Sequence, residues 1–332
     1  MPNELALIRR IATLARADAM DVRVGIGDDA AVLDLPRGEQ LVAAVDTLVA
    51  GVHFPTDTAL ESVGWKALAV NVSDFAAMGA QPRWALSSLT LPNPDSALEI
   101  TRGLLACARR HGIALVGGDT TRGPLAICVT LLGGVPRQCA VTRAGARVDD
   151  EIWIAGTLGD AAAGLACVEQ RLQASPRDRA RLVRALDKPT PPLALGIGLR
   201  GVAHSMIDVS DGVLADLGHV LRASSLGAII DPLLLPASAV MRRVVPDPVA
   251  REALQCGGDD YTLLFTASAR SAPRVTSIAR QCGVRVTRIG KMQKQAGLWR
   301  GANGARPARI ATSGFDHFAA PVSAPISGEP PG

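Results

Sequence analysis

Aromatic side chains are scarce in this 332-residue chain, with Phe, Tyr and Trp making up only 3%. The cores must be filled by Ala, Val, Leu and Ile, and little is left to stack on the bases of a nucleic acid. No apolar run reaches the roughly 20 residues that span a bilayer, which argues against a membrane-spanning helix. The opening MPNELALIRRIATLARADA reads as an amphipathic helix carrying Glu4, not as a basic segment followed by an apolar one. Cys107, Cys128, Cys139, Cys167, Cys256 and Cys282 are scattered without a C-x-x-C pair. Reduced core thiols are expected rather than disulfides or a zinc site, and with them a cytoplasmic location. A G-x-x-x-x-G-K-[ST] loop is also missing, which sets aside an ordinary P-loop ATPase. Acids are absent from 261–315, where ten Lys or Arg stand, while the other positions carry 25 basic against 31 acidic residues. That basic block runs through a predicted helix and strands, so we read it as a solvated face and expect no nucleic-acid partner.

What is present suits a globular chain of two domains: 48% hydrophobic and 20% charged residues over 332 positions. Periodicity predicts strands over 30–34, 41–49, 83–91, 113–117 and 124–135, with helices over 60–78 and 95–111. A polar, Gly-containing break at TRAGARVDDEIWIAG precedes a second run of alternation. There the expected strands are 151–155, 205–209, 228–231, 261–267 and 284–290. The expected helices are 159–172, 178–186, 193–203, 212–225, 248–255 and 271–282. The fold class is therefore α/β (α+β), with two layered domains: an N-terminal domain over 1–145 and a C-terminal αβ domain over 146–318. The tail 319–332, AAPVSAPISGEPPG, lacks apolar periodicity and is expected to be disordered.

Two stretches imitate dinucleotide-binding loops. GIGDDA would set two carboxylates against a pyrophosphate, and the glycines of GIGLRG fall inside a Pro-started helix, so neither is read as a Rossmann turn. The recurring feature is aspartate where apolar elements meet turns or helices: Asp28 and Asp29, Asp46, Asp74, Asp119, and Asp208 with Asp211. Taken singly, Asp46 fits a strand-end turn, Asp74 an exposed helix position, Asp119 an Asx-turn, and Ser210–Asp211 a helix cap. Taken together, converging acids would repel unless cations sat among them. Oxygen donors without a His or Cys cluster favour hard ions such as Mg²⁺, whose shell substrate phosphates often complete. Gly25, Gly27, Gly117, Gly118 and Gly212 stand alongside, where backbone could approach phosphate.

The order GIGDDAAV, DTLVAGVHF, KALAVNVSDFAAMGA, GGDTTRGP, TRAGA, IDVSDGVLADLGH, GGDDYTLLF and GFDHF, from about residue 5 to 318, resembles that of thiamine-monophosphate kinases. These belong to a superfamily with aminoimidazole ribonucleotide synthetase and selenophosphate synthetase. The resemblance implies transfer of the ATP γ-phosphoryl group to thiamine phosphate. It implies several Mg²⁺ ions held by Asp29, Asp46, Asp74, Asp119, Asp208 and Asp211. It places ATP, the co-substrate, against Gly118, Asp119, Arg143 and Ser210, and thiamine phosphate near His53, Asp259 and Phe315. It also implies a homodimer in which the N-terminal sheets pair. Four positions depart from the family pattern. Ala44 and Val45 replace hydroxyl residues before Asp46, Asp259 replaces a glutamate, and Phe315 is an aromatic without a hydrogen-bonding group.

Overall fold

The computed structural model describes residues 4–15, 19–301 and 307–311. They fall into two compact units: residues up to Ala140 with Gly196–Arg200, and Val141–Leu195 with the chain from Gly201 on.

The first unit contains α1 (Glu4–Ala15), β1 (Val22–Val24), β2 (Val32–Leu33), β3 (Glu39–Val49), α2 (Leu60–Ala77), β4 (Gln81–Leu91), α3 (Ser96–His111), β5 (Ala114–Arg122) and β6 (Ala126–Pro136). Its main sheet has the order β3-β6-β4-β5. β6 is antiparallel to both neighbours, and β4 runs parallel to β5. α2 packs on this sheet with α3 against it, so α2 is buried nearly all round. Such burial explains its run of Ala, Val and Leu without a polar stripe. Gly64 and Gly103 let the two helices cross closely. A Cβ on Gly64 would lie 1.9 Å from the Ile100 carbonyl, and one on Gly103 would lie 1.8 Å from that of Glu61. α3 closes with Gly112 in the left-handed conformation (φ 67°) after Arg109, Arg110 and His111, cations suited to a helix C-terminus.

Residues 196–200 complete this unit from far along the chain. A Cβ on Gly196 would come 2.0 Å from the Ala76 carbonyl, and Arg200 Nε donates to the Gly79 carbonyl.

The second unit is built from β7 (Glu151–Ala155), α4 (Asp160–Val168), α5 (Pro176–Asp187), α6 (Leu193–Gly198), β8 (Ser205–Val209), α7 (Val213–Ser224), β9 (Gly227–Ile230), α8 (Ala239–Val244), α9 (Pro248–Gln255), β10 (Thr262–Ala267), α10 (Ala272–Gln281), β11 (Val286–Gln293), β12 (Gly297–Arg300) and β13 (Ala308–Ile310), with the last residues of α6 belonging to the first unit. The sheet order is β13-β12-β9-β11-β7-β10-β8. β7, β8 and β10 are buried at every position, which is why they read as unbroken apolar runs rather than as alternation. One core joins Ile154, Ile207, Leu264 and Ile289 of the sheet to Leu217 and Val220 of α7. A second joins Ala163, Leu182, Met241 and Leu254 of the helices α4, α5, α8 and α9.

Several predicted boundaries move. The strand expected over 113–117 runs on to Arg122, because its far half pairs with β4. The helix expected over 193–203 stops at Gly198, and the one expected over 159–172 stops at Val168. β1, β12, β13 and α8 are too short to leave a period of their own.

Candidate active site

On the first unit's open sheet face, Asp28, Asp29, Gly118 and Asp119 line a cavity of about 830 Å³. Asp119 lies within β5 and not in a turn beyond it. Gly118 has φ 153° and passes so close to β4 that a Cβ would sit 2.0 Å from the Ser87 carbonyl; only glycine fits there. Asp28 Oδ1 accepts the Asp29 N–H at 2.8 Å, and both residues are exposed.

Asp46 and Asp74 form a separate pair. Asp46 lies inside β3 and Asp74 inside α2, not at element ends. Their side chains are hydrogen-bonded, and burial raises the Asp46 carboxyl above the ordinary value. Two carboxyls can bond in this way only by sharing a proton. Register explains why they do not join Asp119. Asp46 lies opposite Val129, Val129 opposite Ser87, and Ser87 opposite Gly118. Asp119 therefore faces the other side of the sheet, three strands and about 14 Å away. In the turn after β3, His53 Nδ1 accepts the Val49 N–H at 3.0 Å, so a neutral ring carries its proton on Nε2. The buried Lys66 donates to the His53 carbonyl at 3.1 Å.

The second unit gathers its acids at one end of its sheet. β7 and β8 are both antiparallel to β10, so the loops leaving them meet the loop entering β10. Asp208 is the penultimate residue of β8, and Ser210 and Asp211 follow the strand. The Asp259 N–H bonds the Ser210 carbonyl at 2.8 Å, and the Tyr261 N–H bonds that of Val209 at 2.8 Å. Asp259 (φ 63°) and Tyr261 (φ 45°) hold left-handed backbone conformations, strain that only a tightly determined loop retains. A Cβ on Gly212 would come 2.1 Å from the Cys256 carbonyl, so the two loops touch backbone to backbone.

Ser210 departs from its predicted role as a helix cap. α7 begins at Val213, and the N–H groups of Ser210 and Asp211 both donate to Asp216 Oδ2, at 3.1 and 3.2 Å. Those amides are engaged, which leaves Ser210 its hydroxyl. Sequence reasoning passed over Asp216, yet the residue sits on the apolar stripe of α7 beside Val213, Leu217 and Val220, where an acid is conspicuous. Burial, then Asp208 and Asp211, push its carboxyl up to about 8. Asp260 was also passed over. It accepts the Gly159 N–H with both oxygens, at 2.8 and 3.0 Å, and burial raises it well above the usual range. Arg143 is exposed, and its charge, after burial and Arg222, helps hold His219 low while Asp211 acts oppositely. Arg143, His219 and Asp211 thus share one neighbourhood. Phe315 lies outside the described residues.

Among the described residues no three His, Cys, Asp or Glu side chains gather into a metal centre of their own. The residues fit Mg²⁺ nonetheless. Asp46 and Asp74 meet side chain to side chain, where two carboxylates would repel without a cation between them, and the available donors are all oxygen. Mg²⁺ takes one or two carboxylates and fills its shell with phosphate and water.

Both units match known domains. Residues 27–135 match the AIR synthase related protein, N-terminal domain, and 147–298 match the corresponding C-terminal domain. Within that class the chain belongs to the thiamine-monophosphate kinase family. It is 44% identical over 324 residues to the thiamine-monophosphate kinase of Escherichia coli O157:H7, covering 96% of this chain and 99% of that one. The crystal structure of thiamine-monophosphate kinase from Stenotrophomonas maltophilia matches with a TM-score of 0.83 at 43% identity, covering 91% of this chain and 98% of that one. AaThiL complexed with AMPPCP and TMP matches at 0.75 and 29%, covering 95% and 97%.

Proposed function

We propose that this protein transfers the γ-phosphoryl group of ATP to thiamine phosphate, giving thiamine diphosphate and ADP. The whole-length likeness to thiamine-monophosphate kinases, one of them in complex with AMPPCP and TMP, carries the reading. The residue types suit the chemistry. The acceptor oxygen of a phosphate monoester is already ionised near neutral pH, so no general base is needed. The obstacle is repulsion between two anions. Asp29, Asp46, Asp74, Asp119, Asp208 and Asp211 would hold Mg²⁺, which when bound supplies neutralising charge to the phosphates. Gly118 and Asp119 receive the nucleotide, Gly118 by presenting bare backbone. Arg143 steadies a phosphate as a fork donor, and Ser210 contributes its hydroxyl. His53, Asp259 and Phe315 receive the acceptor. Transfer is direct and in line, catalysed by positioning, and no phosphoprotein forms.

We further propose a cytoplasmic homodimer. β3 is a long edge strand with Leu41 and Val45 exposed, the kind of edge that pairs with another chain. Among the described residues no helix is long and apolar enough to cross a membrane.

One incubation of protein, ATP, Mg²⁺ and thiamine phosphate, read by mass, tests the activity. Thiamine diphosphate is expected from the wild type and at most a thousandth of it from Asp74→Asn or Asp208→Asn, each folded by circular dichroism; a loss of roughly this size follows from removing charge-stabilising groups. Full turnover in both variants would remove these aspartates from the site.

A further inference from the structure

One cavity in the second unit, of about 310 Å³, has walls of opposite charge. Arg181, Arg184 and Lys188 form one wall, spaced three and four residues apart so that they share one face of α5 and its end. Asp160, Asp259 and Asp260 line the rest of the cavity, together with Thr157 and Thr190. Three of the acids around these cations have other partners as well. Asp178, three residues before Arg181, is bonded by Arg243 Nε at 3.0 Å and Nη2 at 2.5 Å. Asp160 accepts the Ser238 hydroxyl at 2.7 Å, and burial raises its carboxyl. Asp260 is held by the Gly159 N–H and is raised further still. A cavity of this kind matches a zwitterion, with an anionic group toward α5 and a cationic ring toward Asp259.

We propose that Arg181, Arg184 and Lys188 form an anion subsite that reads the phosphate monoester of the acceptor, and so select thiamine phosphate over thiamine. This rests on the kinase reading above and adds to it the residues that set acceptor choice. Guanidinium and ammonium donors recognise a phosphate dianion and gain nothing from the neutral alcohol that thiamine offers in its place. Because α5 is a helix of the scaffold, Arg181 and Arg184 are held at fixed spacing before the acceptor arrives, and Lys188 follows at its end.

The test is calorimetry on the full chain with AMPPCP and Mg²⁺ saturating the nucleotide site. The Arg184→Gln/Lys188→Gln double variant is compared with the wild type and with Arg179→Gln, which lies on the opposite face of α5. Loss of two charge-assisted contacts should weaken thiamine phosphate about 30-fold or more, while thiamine shifts less than about twofold and the KM for ATP stays put. The Arg179→Gln protein should match the wild type. Equal weakening of thiamine and thiamine phosphate, or no weakening of either, would overturn the subsite. If the wild type makes no thiamine diphosphate, the kinase reading fails on its own account. Inorganic pyrophosphate then serves as the probe, and equal binding by wild type and double variant sinks the anion subsite.

Discussion

Asp216 grips two backbone amides with one carboxyl oxygen in a neighbourhood crowded with other acids. Its folded pKa of about 8 stands above the unfolded value of 3.8, so the folded state keeps a proton that the unfolded chain releases. Stability is therefore highest at low pH on this account, declines between about 4 and 8, and levels off above. Without metal, the melting temperature should be lower at pH 8 than at pH 5.5 by on the order of 5 °C, and Asp216→Asn, which keeps an oxygen acceptor, should flatten the slope. Added Mg²⁺ should shrink the decline as well, because neutralising Asp208 and Asp211 removes part of what raises Asp216. An unchanged slope in the Asn variant would assign the pH dependence elsewhere. At this scale the motifs make Asp46, Asp74, Asp119 and Asp208 legible as candidate site residues. Facing is what they leave out. Whether Asp46 points with or away from Asp119 depends on register across β6 and β4, which no local pattern encodes.

Among the elements, α2 and α3 are the pair on which the site proposed for the first unit would depend, since α2 carries Asp74 and packs on β3, which carries Asp46. Their reciprocal glycines leave no room for a methyl group. Gly64→Ala or Gly103→Ala should destabilise the fold by about 3 kcal/mol, read as a lower urea midpoint with an unchanged m-value. Because a small shift of α2 would move Asp74, turnover should fall in the same variants even at temperatures where they stay folded. The helices were legible in outline: apolar content over 60–78 and the Pro–Asp start before 96 predict both. Their closeness was not, because a glycine inside a helix reads locally as a weakness and reveals its use only when the partner's backbone is in place. The opposite error occurs at β5. The GGDTTRG stretch looks like a turn from its composition, yet pairing with β4 keeps it extended through Arg122.

For the whole molecule, the proposed pairing with a second copy rests on the exposed β3 edge. Val45→Lys places a charge on that edge, on the sheet face opposite the side chain of Asp46. Sedimentation should show a dimer for the wild type and a monomer for Val45→Lys at micromolar concentration; a monomeric wild type would remove the pairing altogether. The two-domain organisation was legible from the polar break near residue 145, which separates two runs of alternation. The return of residues 196–200 to the first unit was not, since GIGLRG carries no mark of where it packs.

That return has a consequence for how the protein is made. A ribosome that has released the first 140 residues has delivered the four-stranded sheet and its two helices but not the segment that covers Ala76 and Gly79. The nascent first unit must wait, incompletely closed, until roughly sixty further residues have emerged, and a gene fragment cut at the apparent boundary would express a body with an unhealed seam.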